Sequence, residues 1–520
     1  MMKPFVPAVF VCLLTSGLCA GDWNQWRGPD RNGVSQDTTP VADAFPAEGL
    51  KKVWESEFIP SNEYGGHGSP VVSGERVFLS VVWHERVASE TREIDTEVIQ
   101  QLNYRGTSPE LGKKLEETRL NLPKLRGEKF DEWVNQWRKE NLSEKEEINI
   151  GTWVTSRFKA GKNAVALEWL DKMSKRQGKP FENAAAFNKW LDEEGFPPDV
   201  KEKMIAVVPN TIKVAQDVIL CLDLNTGKQV WKYTKPGKPS GRQSSSTCAV
   251  VDGKVYAACS TELVCVNEAD GKQVWTAPLG MSGPAASPLV VGDRVYMAAG
   301  KACAFSKGDG KLVWEQKEAK GNVASPTWWK PVTGEPVLVI NGNNALYGLH
   351  PDTGRMQWAV EGGSHSTPVA SGDWLVLYSG TEGVGLRAYQ MQADGKPKAA
   401  WSHFWMTRRY TGSPIIHEGN VYLCCGEKHQ CIDLATGAEK WVVNEINSTI
   451  TSPLLADGKL LVYENNGTHV RMVKATSTGY EQLGRAKTDA MGCSSPAIAN
   501  GKFIVRQKDK LVCFDLRPMN

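Results

Sequence analysis

Cys221-Leu-Asp-Leu-Asn-Thr-Gly-Lys-Gln-Val-Trp231 is the stretch that decides the fold, because versions of it recur along the chain. A small residue opens the pattern, a Thr-Gly or Asp-Gly turn follows, and a tryptophan closes it. The closing positions are Trp231, Trp275, Trp314, Trp358, Trp401, Trp441 and Leu483, separated by steps of 44, 39, 44, 43, 40 and 42 residues. A period of about 40 to 45 residues is typical of the blades of a β-propeller.

A second landmark lies upstream of each turn, where Ser or Thr, usually followed by Pro, opens a short apolar strand. It occurs at Ser69, Thr247, Ser287, Ser325, Thr367, Ser413, Ser452 and Ser495. The eight positions predict an all-β fold, a single eight-bladed β-propeller of four-stranded antiparallel blades. The last blade supplies three strands, and Lys52-Val-Trp54 stands near the N-terminus with no strand before it. We therefore expect the N-terminal strand to complete the eighth blade and close the ring.

Residues 84–214 interrupt the first blade between its second and third strands. They carry helix signals, including Ser108-Pro109 at a helix start and a capping box of Ser143 with Glu146. We predict a helical insertion within a propeller that spans residues 21–520. Both ends of the insertion should emerge on one face of the ring, so its helices are expected beside or over the mouth of the channel as a lid. The alternative is an accessory domain that leans outward.

Composition and the first residues bear on location and partners. The chain has 61 Lys and Arg against 59 Asp and Glu, a net charge of +2, which makes nucleic acid an unsuitable partner. Residues 1–20 have the layout of a signal peptide cleaved near Ala20, which predicts a periplasmic or secreted protein. A lipoprotein anchored through Cys19 is the alternative, although Leu18 is bulky for that motif. No later stretch is apolar over the roughly 18 residues that span a membrane.

The positions of the cysteines indicate a packing role in the core rather than a catalytic or metal-binding role. Cys221, Cys265, Cys431 and Cys513 occupy one repeat position, which Ala or Gly fills in other blades, so we interpret them as small buried side chains. Adjacent Cys424 and Cys425 end a predicted strand, where neighbouring side chains point to opposite faces; whether they are oxidised stays open. Because no metalloprotease, thioredoxin-like, hydrolase-elbow or phosphate-loop motif occurs, we assign no catalytic residue and no metal ligand.

The repeat resembles that of the pyrroloquinoline-quinone (PQQ) propeller superfamily, in which each tryptophan docks onto the next blade. The resemblance covers nearly all of residues 50–517 apart from the insertion. Asp22-Trp-Asn-Gln-Trp-Arg-Gly-Pro-Asp-Arg-Asn-Gly-Val-Ser35 looks like the N-terminal signature of secreted bacterial members. The superfamily includes quinoprotein alcohol dehydrogenases, which bind PQQ and calcium, and the non-enzymatic propeller lipoprotein of the outer-membrane protein assembly machinery. Since no calcium-binding set or catalytic Asp matches residue by residue, we transfer no dehydrogenase site and expect no cofactor.

The order of the strands within a blade predicts which face of the ring carries the functional loops. Loops that enter the inner strands share one face of the ring with loops that join second and third strands; we call it the loop face. The Asp-Gly and Thr-Gly turns lie on the opposite, turn face. Diverse side chains concentrate on the loop face, as is common for binding residues on a rigid scaffold. The predicted ligand-binding residues there are His67, Arg242, His365, Arg408, Arg409, Tyr410 and His429.

These observations favour a monomeric exported protein with a non-catalytic binding or scaffolding role. Its expected partner is another protein, or a polar, anionic or hydroxyl-rich ligand at the channel. Two alternatives remain open at this point: a quinoprotein oxidoreductase that uses PQQ with calcium, and an enzyme directed at carbohydrate or another polymer. The fold does not distinguish among them.

Overall fold

The computed structural model describes residues 21–59, 66–239, 245–407, 410–425, 427–444 and 451–518. Its strands form eight four-stranded antiparallel sheets, and the inner strands of neighbouring sheets contact one another around a ring. The predicted eight-bladed propeller is therefore confirmed.

Each blade runs from an inner strand beside the channel to an outer strand at the rim, and β1 (Lys51–Glu55) precedes the first of them. Blades 1 to 3 contain β2 (Val71–Ser73), β3 (Arg76–Ala88), β4 (Thr211–Asp223), β5 (Gln229–Gly237); β6 (Ala249–Val251), β7 (Lys254–Ala258), β8 (Glu262–Asn267), β9 (Gln273–Pro278); and β10 (Leu289–Val291), β11 (Arg294–Ala298), β12 (Ala302–Ser306), β13 (Leu312–Gln316). Blades 4 to 6 contain β14 (Thr327–Trp329), β15 (Val337–Asn341), β16 (Ala345–Leu349), β17 (Met356–Glu361); β18 (Val369–Ser371), β19 (Trp374–Ser379), β20 (Gly385–Met391), β21 (Pro397–His403); and β22 (Ile415–His417), β23 (Asn420–Cys425), β24 (Lys428–Asp433), β25 (Glu439–Asn444). Blades 7 and 8 contain β26 (Leu454–Ala456), β27 (Lys459–Glu464), β28 (His469–Lys474), β29 (Gln482–Lys487); and β30 (Ala497–Ala499), β31 (Lys502–Arg506), β32 (Leu511–Asp515).

Ring closure follows the prediction. β1 pairs antiparallel with β32, with Trp54 opposite Cys513, and so becomes the outer strand of blade 8. The Trp54 ring is buried, and its indole Nε1 donates a hydrogen bond to the Leu224 carbonyl oxygen of blade 1 at 2.8 Å. The first and last segments of the propeller therefore share one sheet, and Trp54 ties that sheet to blade 1.

Helices occupy the connection between β3 and β4. They are α1 (Thr96–Gln101), α2 (Pro109–Leu120), α3 (Glu128–Asn141), α4 (Glu144–Ala160), α5 (Leu167–Lys175), α6 (Ala184–Glu193) and α7 (Pro198–Val207). Ser108 caps α2, and Ser143 with Glu146 forms a reciprocal capping box at the start of α4. β3 and β4 pair over 13 residues each, so this hairpin continues well past the five- and six-residue strands common in the other blades.

The repeated turn and tryptophan join neighbouring blades. Trp231 Nε1 donates to the Glu268 carbonyl oxygen of the next blade at 2.9 Å. Its ring lies so close to Gly271 that a Cβ there would sit 2.5 Å from the ring, and Gly271 has a φ of +69°. Only glycine meets both demands without strain. The same indole-to-carbonyl bond is made by Trp275, Trp314, Trp401 and Trp441.

The cysteines of the described chain form no disulfide with one another, and burial raises the pKa of Cys221 and Cys265 to about 12. Cys424 packs into the core shared with blade 7, whereas Cys425 packs into the core shared with blade 5. The two adjacent side chains thus lie on opposite faces of β23. Their environments are those of packing residues.

Replacing Cys265 with alanine is expected to lower the free energy of unfolding by only about 1–2 kcal/mol, because a small buried group is lost. Denaturant melts of C265A and the unchanged chain measure this difference. Intact-mass analysis without reductant is the companion measurement, and detection of Cys265 in a bridge would contradict the packing role.

Candidate functional site

Serine and threonine side chains form a ring where the inner strands begin. In seven of the eight ring residues the backbone N–H donates to the hydroxyl oxygen of the neighbour in the adjoining blade. Seven such bonds, of 2.8–3.0 Å, join Ser69 to Thr247, Thr247 to Ser287, Ser287 to Ser325, Ser325 to Thr367, Thr367 to Ser413, Ser413 to Ser452, and Ser495 to Ser69. We call these residues the hydroxyl ring. In seven of the eight blades it explains why Ser or Thr opens the blade.

A cavity of about 440 Å³ lies within this ring, on its loop-face side. Six hydroxyl-ring residues line it: Ser69, Ser287, Ser325, Thr367, Ser452 and Ser495. A second set lies two residues earlier in each blade, as period-two alternation in an extended chain requires. That set is Ser245, Ala285, Val323, His365, Thr411 and Cys493. Since both sets precede the inner strands, the cavity faces the loops.

The N-terminal segment, residues 22–35, closes the channel below the cavity. It repeats one contact in three blades, a reciprocal hydrogen-bond pair with the middle residue of an inner strand. The pairs join Trp23 to Val72, Asn24 to Val250, and Gly33 and Ser35 to Leu455, all at 2.8–3.0 Å. We call this segment the plug. Trp26 of the plug is half-buried and lines the base of the cavity. The cavity is therefore a cup whose floor is the plug.

Two arginines fix the plug to further blades. Arg27 Nη2 donates to the Pro414 carbonyl oxygen at 2.6 Å, and Arg31 Nη1 donates to the Pro288 carbonyl oxygen at 2.7 Å. Both side chains are fully buried, and this burial lowers their pKa values to about 9, assisted at Arg27 by the nearby charge of Arg31. Both groups therefore remain protonated at neutral pH. The plug thus braces opposite sides of the ring.

The wall of the cup is polar but nearly free of charge. Among the described lining residues there is no Asp, Glu, Lys or Arg, and the titratable groups are His365 and Cys493. Desolvation lowers the pKa of His365, so its imidazole is neutral at pH 7. Across the described parts of the chain, no group of three or more His, Cys, Asp or Glu side chains is placed to hold a metal ion. The geometry is suited to hydrogen bonding with a ligand.

The structure brings one predicted ligand-binding residue, His365, into the cup. His67 belongs to the same position of its blade and is buried, with Gly68 packed against the Ser80 carbonyl oxygen behind it. Tyr410 lies in the loop entering blade 6, where its hydroxyl accepts from the Thr407 N–H and donates to the Trp405 carbonyl oxygen, both at 3.0 Å. That hydroxyl is occupied in holding the loop.

The loop placement of His429 is wrong. The residue lies within β24, opposite Cys424, and is fully buried. Burial, with a smaller effect from Arg471, lowers the pKa of His429 to about 3. Its Nδ1 lies 3.4 Å from the Tyr480 hydroxyl, so a neutral imidazole packs between blades 6 and 7. The turn that precedes β24 is shorter than the sequence pattern suggested.

Three other predicted residues, Arg242, Arg408 and Arg409, lie outside the described residues. That the helical insertion, residues 84–214, covers the channel as a lid stays a prediction. None of its residues is among the described residues that line the cup. The repeat pattern does not reveal the plug, because its residues Trp26, Arg27 and Arg31 belong to no blade. Counting two residues back from each opening Ser or Thr would have identified most of the cup wall.

No helix within the described segments is both long and apolar enough to cross a membrane.

Parts of the chain are similar in sequence to known proteins. A segment of the chain is 29% identical over 238 residues to the serine/threonine-protein kinase AfsK of Streptomyces griseus, covering 43% of this chain and 27% of the kinase. Another is 26% identical over 203 residues to the outer membrane protein assembly factor BamB of Salmonella typhimurium, covering 36% of this chain and 49% of that protein. The matches thus span about half or less of these relatives.

The solved structures that match include a BamB and a quinohemoprotein alcohol dehydrogenase. BamB from Moraxella catarrhalis matches with a TM-score of 0.46 and 14% identity, over 58% of this chain and 90% of that one. The quinohemoprotein alcohol dehydrogenase from Comamonas testosteroni matches with a TM-score of 0.39 and 14% identity, over 59% and 74%.

A family model covers more of the sequence than either relative. Its matches span residues 182–303, 215–402 and 300–482, which together exceed half of the chain. They begin within the insertion, just before α6, and run through the outer strands of blade 1 and blades 2 to 6 to the start of β29 in blade 7. The chain belongs to the family described as outer membrane protein assembly factor BamB.

Proposed function

We propose that this protein is an exported, non-catalytic propeller that binds a partner protein at its loop face, as a scaffold in the assembly of outer-membrane proteins. The family match over residues 182–482 is the observation that carries this proposal. A periplasmic location is consistent with it and with the signal peptide predicted at residues 1–20. The closed ring and its braces supply the rigid support that a binding face needs.

The cup wall supports binding over quinone-dependent oxidation. Calcium in proteins takes six to eight oxygen ligands, normally with carboxylates among them. The described lining offers hydroxyl groups and the Asn322 amide but no carboxylate. The adjacent thiols Cys424 and Cys425 are buried on opposite faces of β23, away from the cup lining. These residues do not fit a PQQ and calcium site, so no redox step is assigned to them.

Photo-crosslinking in the bacterium that makes the protein tests the loop-face proposal. A photoreactive phenylalanine analogue would replace Asn322, which lines the cup, and in a second variant Asp309, which is exposed in a turn on the opposite face. Both sites belong to neighbouring blades of the same ring, which makes them a matched pair. We expect a discrete protein adduct from position 322 and none from position 309.

An adduct from position 309 with none from position 322 would contradict the loop face as the binding surface. The absence of any adduct at 322, with both variants folded and exported, would contradict a protein partner there. Cell fractionation of the same strains measures export directly, and accumulation of the full-length precursor in the cytoplasm would contradict the proposed location.

A further inference from the structure

The plug carries two buried positive charges that have no carboxylate partner among the described residues. Arg27 and Arg31 donate to main-chain carbonyl oxygens, and Arg31 also donates to the side chain of Gln25. Arg27 Nε and Nη1 and Arg31 Nε meet no acceptor among the described residues. A buried charge is costly unless it is compensated. The two guanidinium groups therefore leave a positive field inside the ring.

Backbone conformation points the same way. Arg27 and Arg31 have φ values of +64° and +56°, in the left-handed region that residues other than glycine seldom occupy. Strain of this kind persists where the surrounding structure enforces it and is frequent at ligand sites. Here it directs both guanidinium groups to carbonyl oxygens of the hydroxyl ring, at 3.5 Å to Ser413 and 3.3 Å to Ser287. The charges thus lie directly against the ring.

The hydroxyl ring has unused donors above these charges. The ring oxygens that accept a neighbour's N–H include Ser69, Ser287, Ser325 and Thr367. None of the ring hydroxyls that line the cup donates a hydrogen bond to another residue in the described ranges, so their hydrogens remain available to a ligand. A circle of O–H donors, with Trp26 at its base and two buried guanidinium groups behind its carbonyl oxygens, favours acceptor oxygens with negative charge.

We infer that the cup binds a small anionic ligand whose acceptor oxygens receive hydrogen bonds from the hydroxyl ring, above Trp26 and the two plug arginines. This deepens the proposed function, on which it rests, by naming the chemistry recognised at the same face. A volume of about 440 Å³ fits a compact metabolite or the acidic end of a larger molecule. The ligand group could come from either source, a small metabolite or a larger molecule, and in both cases it is a carboxylate.

Calorimetric titration of the mature full chain measures this binding. The probes are citrate, D-glucuronate, and an acetylated tripeptide with a free C-terminus, which separate the two sources of a carboxylate. D-Glucose and the amidated tripeptide are the uncharged controls. We expect at least one carboxylate probe to bind with a stoichiometry of one, more weakly as salt rises, and its uncharged counterpart not to bind. No binding by any carboxylate probe, or equal binding by the uncharged controls, would overturn the inference.

Val323 offers a matched pair of variants that locates the site. The side chain is half-buried in the cup wall and makes no polar contact that folding requires. Val323→Glu adds a negative charge to the cup, whereas Val323→Gln adds a neutral group of the same shape. We expect V323E to bind the carboxylate probe at least about tenfold more weakly than V323Q, because like charges repel across a binding site. Equal affinity of the two variants would place the anion elsewhere and overturn the cup as its site.

These results are separable from those for the proposed function. Protein adducts at position 322 together with no carboxylate binding would retain the loop-face scaffold and reject the anion. Carboxylate binding that differs between V323E and V323Q, with no adduct at position 322, would retain the cup chemistry and reject the protein partner. Circular dichroism and melting of both Val323 variants verify that the affinities compare folded proteins.

Discussion

Deleting residues 21–57 from the mature chain is expected to lower the midpoint of thermal unfolding and broaden the transition. The deletion removes the outer strand of blade 8 and the three hydrogen-bonded pairs by which the plug holds blades 1, 2 and 7. Loss of the buried Trp54 side chain alone should cost about 3–5 kcal/mol, and the truncation removes more than that. Calorimetry of the truncated and complete mature chains measures both quantities.

The point variant Trp54→Ala separates the contribution of the Trp54 side chain from that of the plug. It leaves the plug in place and removes the ring that packs on Gly227 of blade 1. We expect an intermediate midpoint for W54A, between those of the truncated and complete chains. If the truncated chain melts with the same midpoint and cooperativity as the complete one, closure of the ring by the N-terminal segment is refuted.

Replacing Gly354 with alanine is expected to cost about 2–5 kcal/mol of unfolding free energy. The residue has a φ of +68°, and a Cβ would lie 2.4 Å from the Trp314 ring. The left-handed backbone accounts for about 1–2 kcal/mol and the displaced ring for about 1–3 kcal/mol more. Gly253→Ala is the control, because Gly253 has a φ of +71° with nothing within 4 Å of its would-be Cβ. Equal losses in denaturant melts of the two variants would show that contact between tryptophan and turn does not couple the blades.

Most of the fold could be predicted because each blade repeats the same physical requirements. Glycine is needed where the turn contacts the preceding tryptophan, as at Gly271, and a hydroxyl is needed where ring residues accept a neighbour's N–H, as at Ser287. Both requirements recur at a fixed period, which makes them visible in one sequence. Trp54 was identifiable for the same reason, as one repeat element separated from its blade.

The binding site could be predicted only in part. His365 was found because it precedes an inner strand, whereas Trp26, Arg27 and Arg31 act across the ring on partners that no repeat relates to them. Arg27, for example, contacts Pro414, which is 387 residues away in sequence. His429 shows the opposite error, since a polar residue near a turn was assigned to a loop, although pairing with Cys424 continues the strand through it. Turn length between two strands depends on register, which composition does not define.

A binding role and a catalytic role are separated most directly by adding PQQ and Ca²⁺ to the purified mature protein. Dye-linked oxidation of primary alcohols and the absorbance of bound quinone are followed in the same samples, with a quinoprotein alcohol dehydrogenase as the positive control. Because the described cup lining provides no carboxylate for calcium, we expect no turnover above the blank and no quinone retention that depends on Ca²⁺. Turnover that requires both PQQ and Ca²⁺ would contradict a non-catalytic role.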